Sequence, residues 1–151
     1  MVSQRGFSLI ELLVSLALLA FFITLAVPVT NTWSNNTKLH EAESLLRQGV
    51  GRAKALAQRN ELGITGSQTA AILCQDSTTA VLTLYQAATC TGTPVWSAQL
   101  PTAVNITNGQ TPFSCLVAIS NRGLPVASND CNVTSKYTLS IGGKSETVTI
   151  N

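Results

Sequence analysis

The sequence predicts an α+β protein: a long N-terminal helix, membrane-spanning in its first half, packed on an antiparallel β-sheet. Three observations predict it. Residues 7–29 form an apolar stretch whose single charged residue is Glu11. Apolar residues at helical spacing then continue to Ala57, and short alternating segments bounded by turn residues fill the rest. At 151 residues the chain holds one domain with one modest core.

Residues 1–6 read MVSQRG, polar and positive at Arg5. The following stretch, Phe7 to Val29, is long enough as a helix of about 1.5 Å per residue to cross a ~30 Å hydrocarbon core. Arg5 on the short side keeps that end cytoplasmic and places the remainder outside. An ordinary secretory signal would carry a small-residue cleavage site after its apolar stretch. Ala26-Val27-Pro28 offers none, and the glycine, Gly6, precedes the stretch instead. Glu11 is a carboxylate within a span, which is costly and therefore points to function.

Past the apolar stretch, Leu39, Ala42, Leu46, Val50, Ala53 and Ala57 recur at three- and four-residue steps and make one face to pack on a sheet. Gly49 and Gly51 weaken this helix unless they permit close packing. It should end near Asn60 to Gly63. Strands are predicted over Thr69–Cys74 and Ala80–Gln86, around a turn at Gln75-Asp76-Ser77. Pro94–Ala98 and Ala103–Thr107 are short apolar segments, and Phe113–Ile119 reads as the best central strand. Asn121-Arg122-Gly123 is a turn. Lys136–Ile141 and Ser145–Ile150 flank Gly142-Gly143 as a hairpin. There is no internal repeat and no disordered linker.

Charged residues are only 11%, and the net charge of +2 neither demands nor excludes an acidic partner. The four cysteines, Cys74, Cys90, Cys115 and Cys131, include no CxxC pair, and His40 is the lone histidine, so no metal site is expected. An even count in an exported chain implies two disulfides. Three connectivities are open, of which Cys74–Cys90 with Cys115–Cys131 is the most local.

Gly6-Phe7-Ser8-Leu9-Ile10-Glu11-Leu12-Leu13 resembles the signal of type IV prepilins and type II secretion pseudopilins. The resemblance implies cleavage between Gly6 and Phe7 by a membrane prepilin peptidase, N-methylation of Phe7, and a role for Glu11 in meeting the N-terminal ammonium of a neighbouring subunit. Pairing would offset part of the desolvation of both charges. Pro28 matches the family's helix-kinking proline, which bends or locally melts the helix. The implied organisation is a leader at 1–6, a transmembrane and filament-core helix at 7–29, and at 30–151 a globular domain, outside the cytoplasm, that includes the second half of the helix. Gly51-Arg52-Ala53-Lys54-Ala55-Leu56-Ala57-Gln58-Arg59-Asn60 and Val117-Ala118-Ile119-Ser120-Asn121-Arg122-Gly123 resemble the helix end and the strand-to-glycine turn of the GspH/FimT pilins. By resemblance the fold is that of a type IV pilin. The function is that of a minor pilin that primes or joins the filament, with other major and minor pilins as partners. It waits in the inner membrane before assembly. The H-type minor pseudopilin of type II secretion shares fold and processing.

No catalytic constellation or cofactor motif is present, so the chain reads as no enzyme. His40 stands beside Glu41 and Glu43 on a solvated helix. Asp76, Asp130 and Glu146 have no paired partner in sequence, and Asp130 beside Cys131 and Asn132 reads as a turn. Asn35, Asn105 and Asn132 open glycosylation-like triplets that reflect a Thr/Asn-rich surface. Arg47, Arg52, Lys54 and Arg59 form two stripes, Arg47 with Lys54 and Arg52 with Arg59, to which Lys136 and Lys144 add. Such a face could meet DNA phosphates, lipid headgroups or acidic neighbours. The Gly-Arg-x-Arg ending of DNA-binding relatives is missing, since the chain closes Glu146-Thr147-Val148-Thr149-Ile150-Asn151. DNA binding is therefore not favoured.

Overall fold

Side-chain patterning at the start of the chain gives a single long helix, α1, over Leu9–Arg59. In the computed structural model, residues 8–107, 115–128, 131, 133 and 135–150 are described, except for the side chains of 25–29. The chain divides into two units at Asn36 and Thr37.

In the first unit, Leu9, Ile10, Leu12, Leu13, Phe21 and Phe22 are all exposed. The hydroxyls in this stretch turn inward on the helix backbone: Ser15 Oγ donates to Glu11 O at 2.7 Å and Thr24 Oγ1 to Phe21 O at 2.7 Å. The helix runs on through Pro28. The expected span over 7–29 lacks support: among the described residues no helix is long and apolar enough to cross a membrane. Phe7 and the side chains of 25–29 lie outside that description.

The second unit is α+β. All six apolar helix positions expected to face a sheet, Leu39, Ala42, Leu46, Val50, Ala53 and Ala57, are buried. They meet a five-stranded antiparallel sheet of order β3-β2-β1-β5-β6, built from β1 (Thr69–Asp76), β2 (Val81–Tyr85), β3 (Trp96–Gln99), β5 (Cys115–Ser120) and β6 (Pro125–Val126). β4 (Asn105–Thr107), β7 (Lys136–Ile141) and β8 (Lys144–Thr149) form a second sheet of order β4-β7-β8. One sheet was expected and two are found. The hairpin takes β4 rather than β5 as its neighbour, with Ile106 opposite Leu139. Gly142 and Gly143, at φ 54° and 80°, supply the two left-handed residues that a tight hairpin needs.

The first turn also differs from expectation. β1 runs through Gln75 and Asp76, and the turn occupies Ser77–Ala80. Asp76 holds it: its Oδ1 accepts from Thr78 N at 2.8 Å and its Oδ2 from Thr79 Oγ1 at 2.7 Å. These bonds, led by the Thr79 hydroxyl, lower the Asp76 pKa from the ordinary carboxylate value. β5 begins at Cys115, and the expected residues Phe113 and Ser114 lie outside the description, as do Asp130 and Asn132. β6 was not foreseen.

β1 is buried along seven residues and β5 along all six because both faces are covered. One faces α1. On the other, Ile72, Cys74, Cys115, Ala118 and Cys131 form a small separate core with Cys90 and Val126. Two disulfides build it, Cys74–Cys90 with Cα atoms 5.9 Å apart and Cys115–Cys131 at 5.2 Å. Cys74 and Cys115 are cross-strand partners, so both bonds leave the sheet side by side.

α1 packs closely on the sheet at Gly49, where a Cβ would lie 3.1 Å from Leu73 Cδ2 and 3.1 Å from Trp96 Cζ3. At Gly51 it would meet nothing within 4 Å. The helix ends on Asn60, which takes φ 48°, a conformation asparagine tolerates. Its side chain accepts from Ile64 N at 2.7 Å and donates to Ile64 O at 2.9 Å. Asn121 Nδ2 donates to the same carbonyl at 2.8 Å. A Cβ on Gly123, at φ 76°, would lie 2.8 Å from Gln58 Nε2. The two segments matched by resemblance, far apart in sequence, therefore lock the helix end to one turn.

Candidate functional site: the N-terminal signal and the basic helix face

Ser8 caps α1. Its carbonyl accepts from Glu11 N at 3.1 Å and Leu12 N at 3.2 Å, and its Oγ from Glu11 N at 3.3 Å. Ser8-Leu9-Ile10-Glu11 is thus a capping-box sequence. A carboxylate in the first turn also sits at the positive end of the helix dipole. That gives Glu11 a local reason to be there, one that Ser8 with Glu11 three residues on could have signalled. Gly6 and Phe7 lie outside the described residues. Only Phe7 separates their shared peptide bond from the cap in sequence.

The basic residues differ in their surroundings. Arg47 Nε donates to Glu43 Oε1 at 2.8 Å, one turn back. Arg47 Nη1 also donates to Thr149 O at 3.4 Å, which ties the helix to β8. Lys136 pairs with Thr149 at that strand end, whereas Lys144 opens β8 at the hairpin turn. The Arg52 guanidinium lies 5.3 Å over the Trp96 ring. Arg52 and Arg59 line one groove, as their shared stripe suggested.

His40 is as exposed as expected, at 70%, with Nδ1 3.9 Å from Glu43 Oε2. Glu146 joins them from β8, and the ligand-type atoms of the three residues lie within 4.8 Å of one another. Such a set could touch a divalent ion. Glu43 is already paired with Arg47 on its own helix, and the cluster marks where helix and hairpin come close. Sequence gave no hint that Glu146 would meet Glu43.

Residues 1–27 match the family profile of the prokaryotic N-terminal methylation motif. That is the signal of type IV pilin-like prepilins, and it supports a pilin-like protein of structural rather than catalytic kind. No curated protein and no solved structure matches the chain.

Proposed function

We propose that the chain is a minor type IV pilin, a membrane-anchored precursor that prepilin peptidase cleaves after Gly6 and methylates at Phe7, and that then joins a filament of major and minor pilins. The methylation motif over residues 1–27 carries this reading. The helix that begins inside that motif at Leu9 and ends in an α+β domain at Arg59 supports it. In this role Phe7–Val29 spans the inner membrane before assembly and packs against like helices afterwards. Only these two surroundings leave so apolar a surface out of water. Glu11 assists extraction by meeting the terminal ammonium of a neighbour.

The test is deletion of the gene in its host, with surface pili, protein secretion and transformation scored side by side. Loss of pili with secretion intact is the expected result. Intact pili with lost secretion would move the protein to a type II secretion pseudopilus, and intact pili with lost transformation alone would make it a DNA-uptake component. Mass spectrometry of the wild-type protein should find an N-terminus at Phe7 carrying one added methyl group.

A further inference from the structure

The geometry points to a docking site for an extended, acidic segment of a partner protein in the groove between α1 and β3. Arg52, Ala55, Leu56 and Arg59 form its helix side, and Val95 and Trp96 its sheet side. Three observations converge there. First, β3 is the outer strand of its sheet and pairs with β2 alone among the described strands. Its far edge therefore offers backbone donors and acceptors to an added strand. Second, Val95 beside it is 54% exposed, an apolar contact for one side chain of that strand. Third, among the described residues no acid lines the groove while two arginines do. Carboxylates are the complement of that charge, and the planar guanidinium suits them.

A single-stranded nucleic acid would use the same charges and would gain from an open aromatic face for stacking. Trp96 lies under Arg52 and against α1 at Gly49, so it presents no such face. The site does not depend on the assembly role proposed above, because it lies wholly within the second unit.

The test uses the full chain in a nonionic detergent with Trp33→Phe, which leaves Trp96 as the sole tryptophan emitter. The probe is a synthetic peptide alternating Asp and Val. Its Lys/Val counterpart, a copy N-methylated at alternate amides, and oligothymidylate serve as comparisons. The Asp/Val peptide should shift Trp96 emission saturably. Arg52→Gln with Arg59→Gln should weaken it by about tenfold or more, as expected for lost charge-assisted bonds. N-methylation should weaken it comparably, and the Lys/Val peptide should not bind. Arg52→Lys with Arg59→Lys, which keeps the charge, should lie between. An unchanged urea midpoint for each variant shows that the fold is kept. Absence of Asp/Val binding, binding that survives either the Gln changes or N-methylation, or equal or tighter binding of oligothymidylate would overturn the proposal.

Discussion

Replacing Gly49 and Gly51 by alanine, one at a time, separates two effects that act in opposite directions on the same helix. In both, alanine removes the backbone freedom of glycine, which favours the folded helix by up to ~1 kcal/mol. At Gly51 the new methyl meets nothing within 4 Å, so that gain should stand nearly alone. At Gly49 it would lie 3.1 Å from Leu73 Cδ2, 3.1 Å from Trp96 Cζ3 and 3.2 Å from Leu73 Cδ1. All three atoms would have to give way by a few tenths of an ångström in the packed layer between helix and sheet. Overpacking of this kind costs ~1–3 kcal/mol. Gly49→Ala should therefore be neutral to destabilising by ~2 kcal/mol, and Gly51→Ala stabilising, with a gap of ~1–3 kcal/mol between them. Urea unfolding followed by Trp96 emission and far-UV circular dichroism measures that gap directly. If Gly49→Ala proves as stable as Gly51→Ala, the helix does not approach the sheet as described and the packing argument fails.

Cys115→Ser with Cys131→Ser opens a bridge of sequence separation 16. It should cost ~3 kcal/mol, read as a lowered urea midpoint, and dithiothreitol should lower that midpoint further by a comparable amount by opening Cys74–Cys90, whose separation is also 16. Asn60→Ala should cost ~1–2 kcal/mol by losing both Ile64 bonds at a left-handed position, while Asn60→Gly should recover part of that in thermal melts. Tyr137 is buried, donates to Leu116 O at 3.0 Å, and has its pKa raised by burial from 10.0 to about 12. A raised acid means the folded state holds its proton more tightly than the unfolded chain. Its contribution should be complete below pH 10 and fade between pH 10 and about 12, and Tyr137→Phe should abolish that alkaline component of the stability profile. Glu11→Ala should leave the precursor made and cleaved but exclude it from sheared pili on immunoblots, and normal incorporation would remove Glu11 from the assembly step.

What could be read in advance followed from period and turn chemistry. Leu39 through Ala57 announce a buried face because helical spacing alone puts them together, and Gly142-Gly143 announces a hairpin because so few residues accept its dihedral angles. The division into two sheets was not legible, since the pairing of Ile106 with Leu139 depends on tertiary context. The turn after β1 was misplaced by reading Asp76 as part of it, when Asp76 ends the strand and reaches forward with its side chain. Glu43 stands four residues before Arg47, the spacing at which opposite charges pair on a helix, and the two do pair. Glu146 could not be placed from sequence, because the neighbours it meets come from another element.

The inward-turned hydroxyls of Ser15 and Thr24 bear on how such a helix could change company. Each is satisfied by its own backbone, so neither requires anything of a lipid tail or of a neighbouring protein. Exchanging one oily environment for another would then leave these hydrogen bonds untouched and become a comparison of packing against packing. Between Leu9 and Thr24 one carboxylate alone, at Glu11, would register the difference. The direction of such a transfer could then be set by a single ionic contact at the tip of the helix, with the rest of its length indifferent.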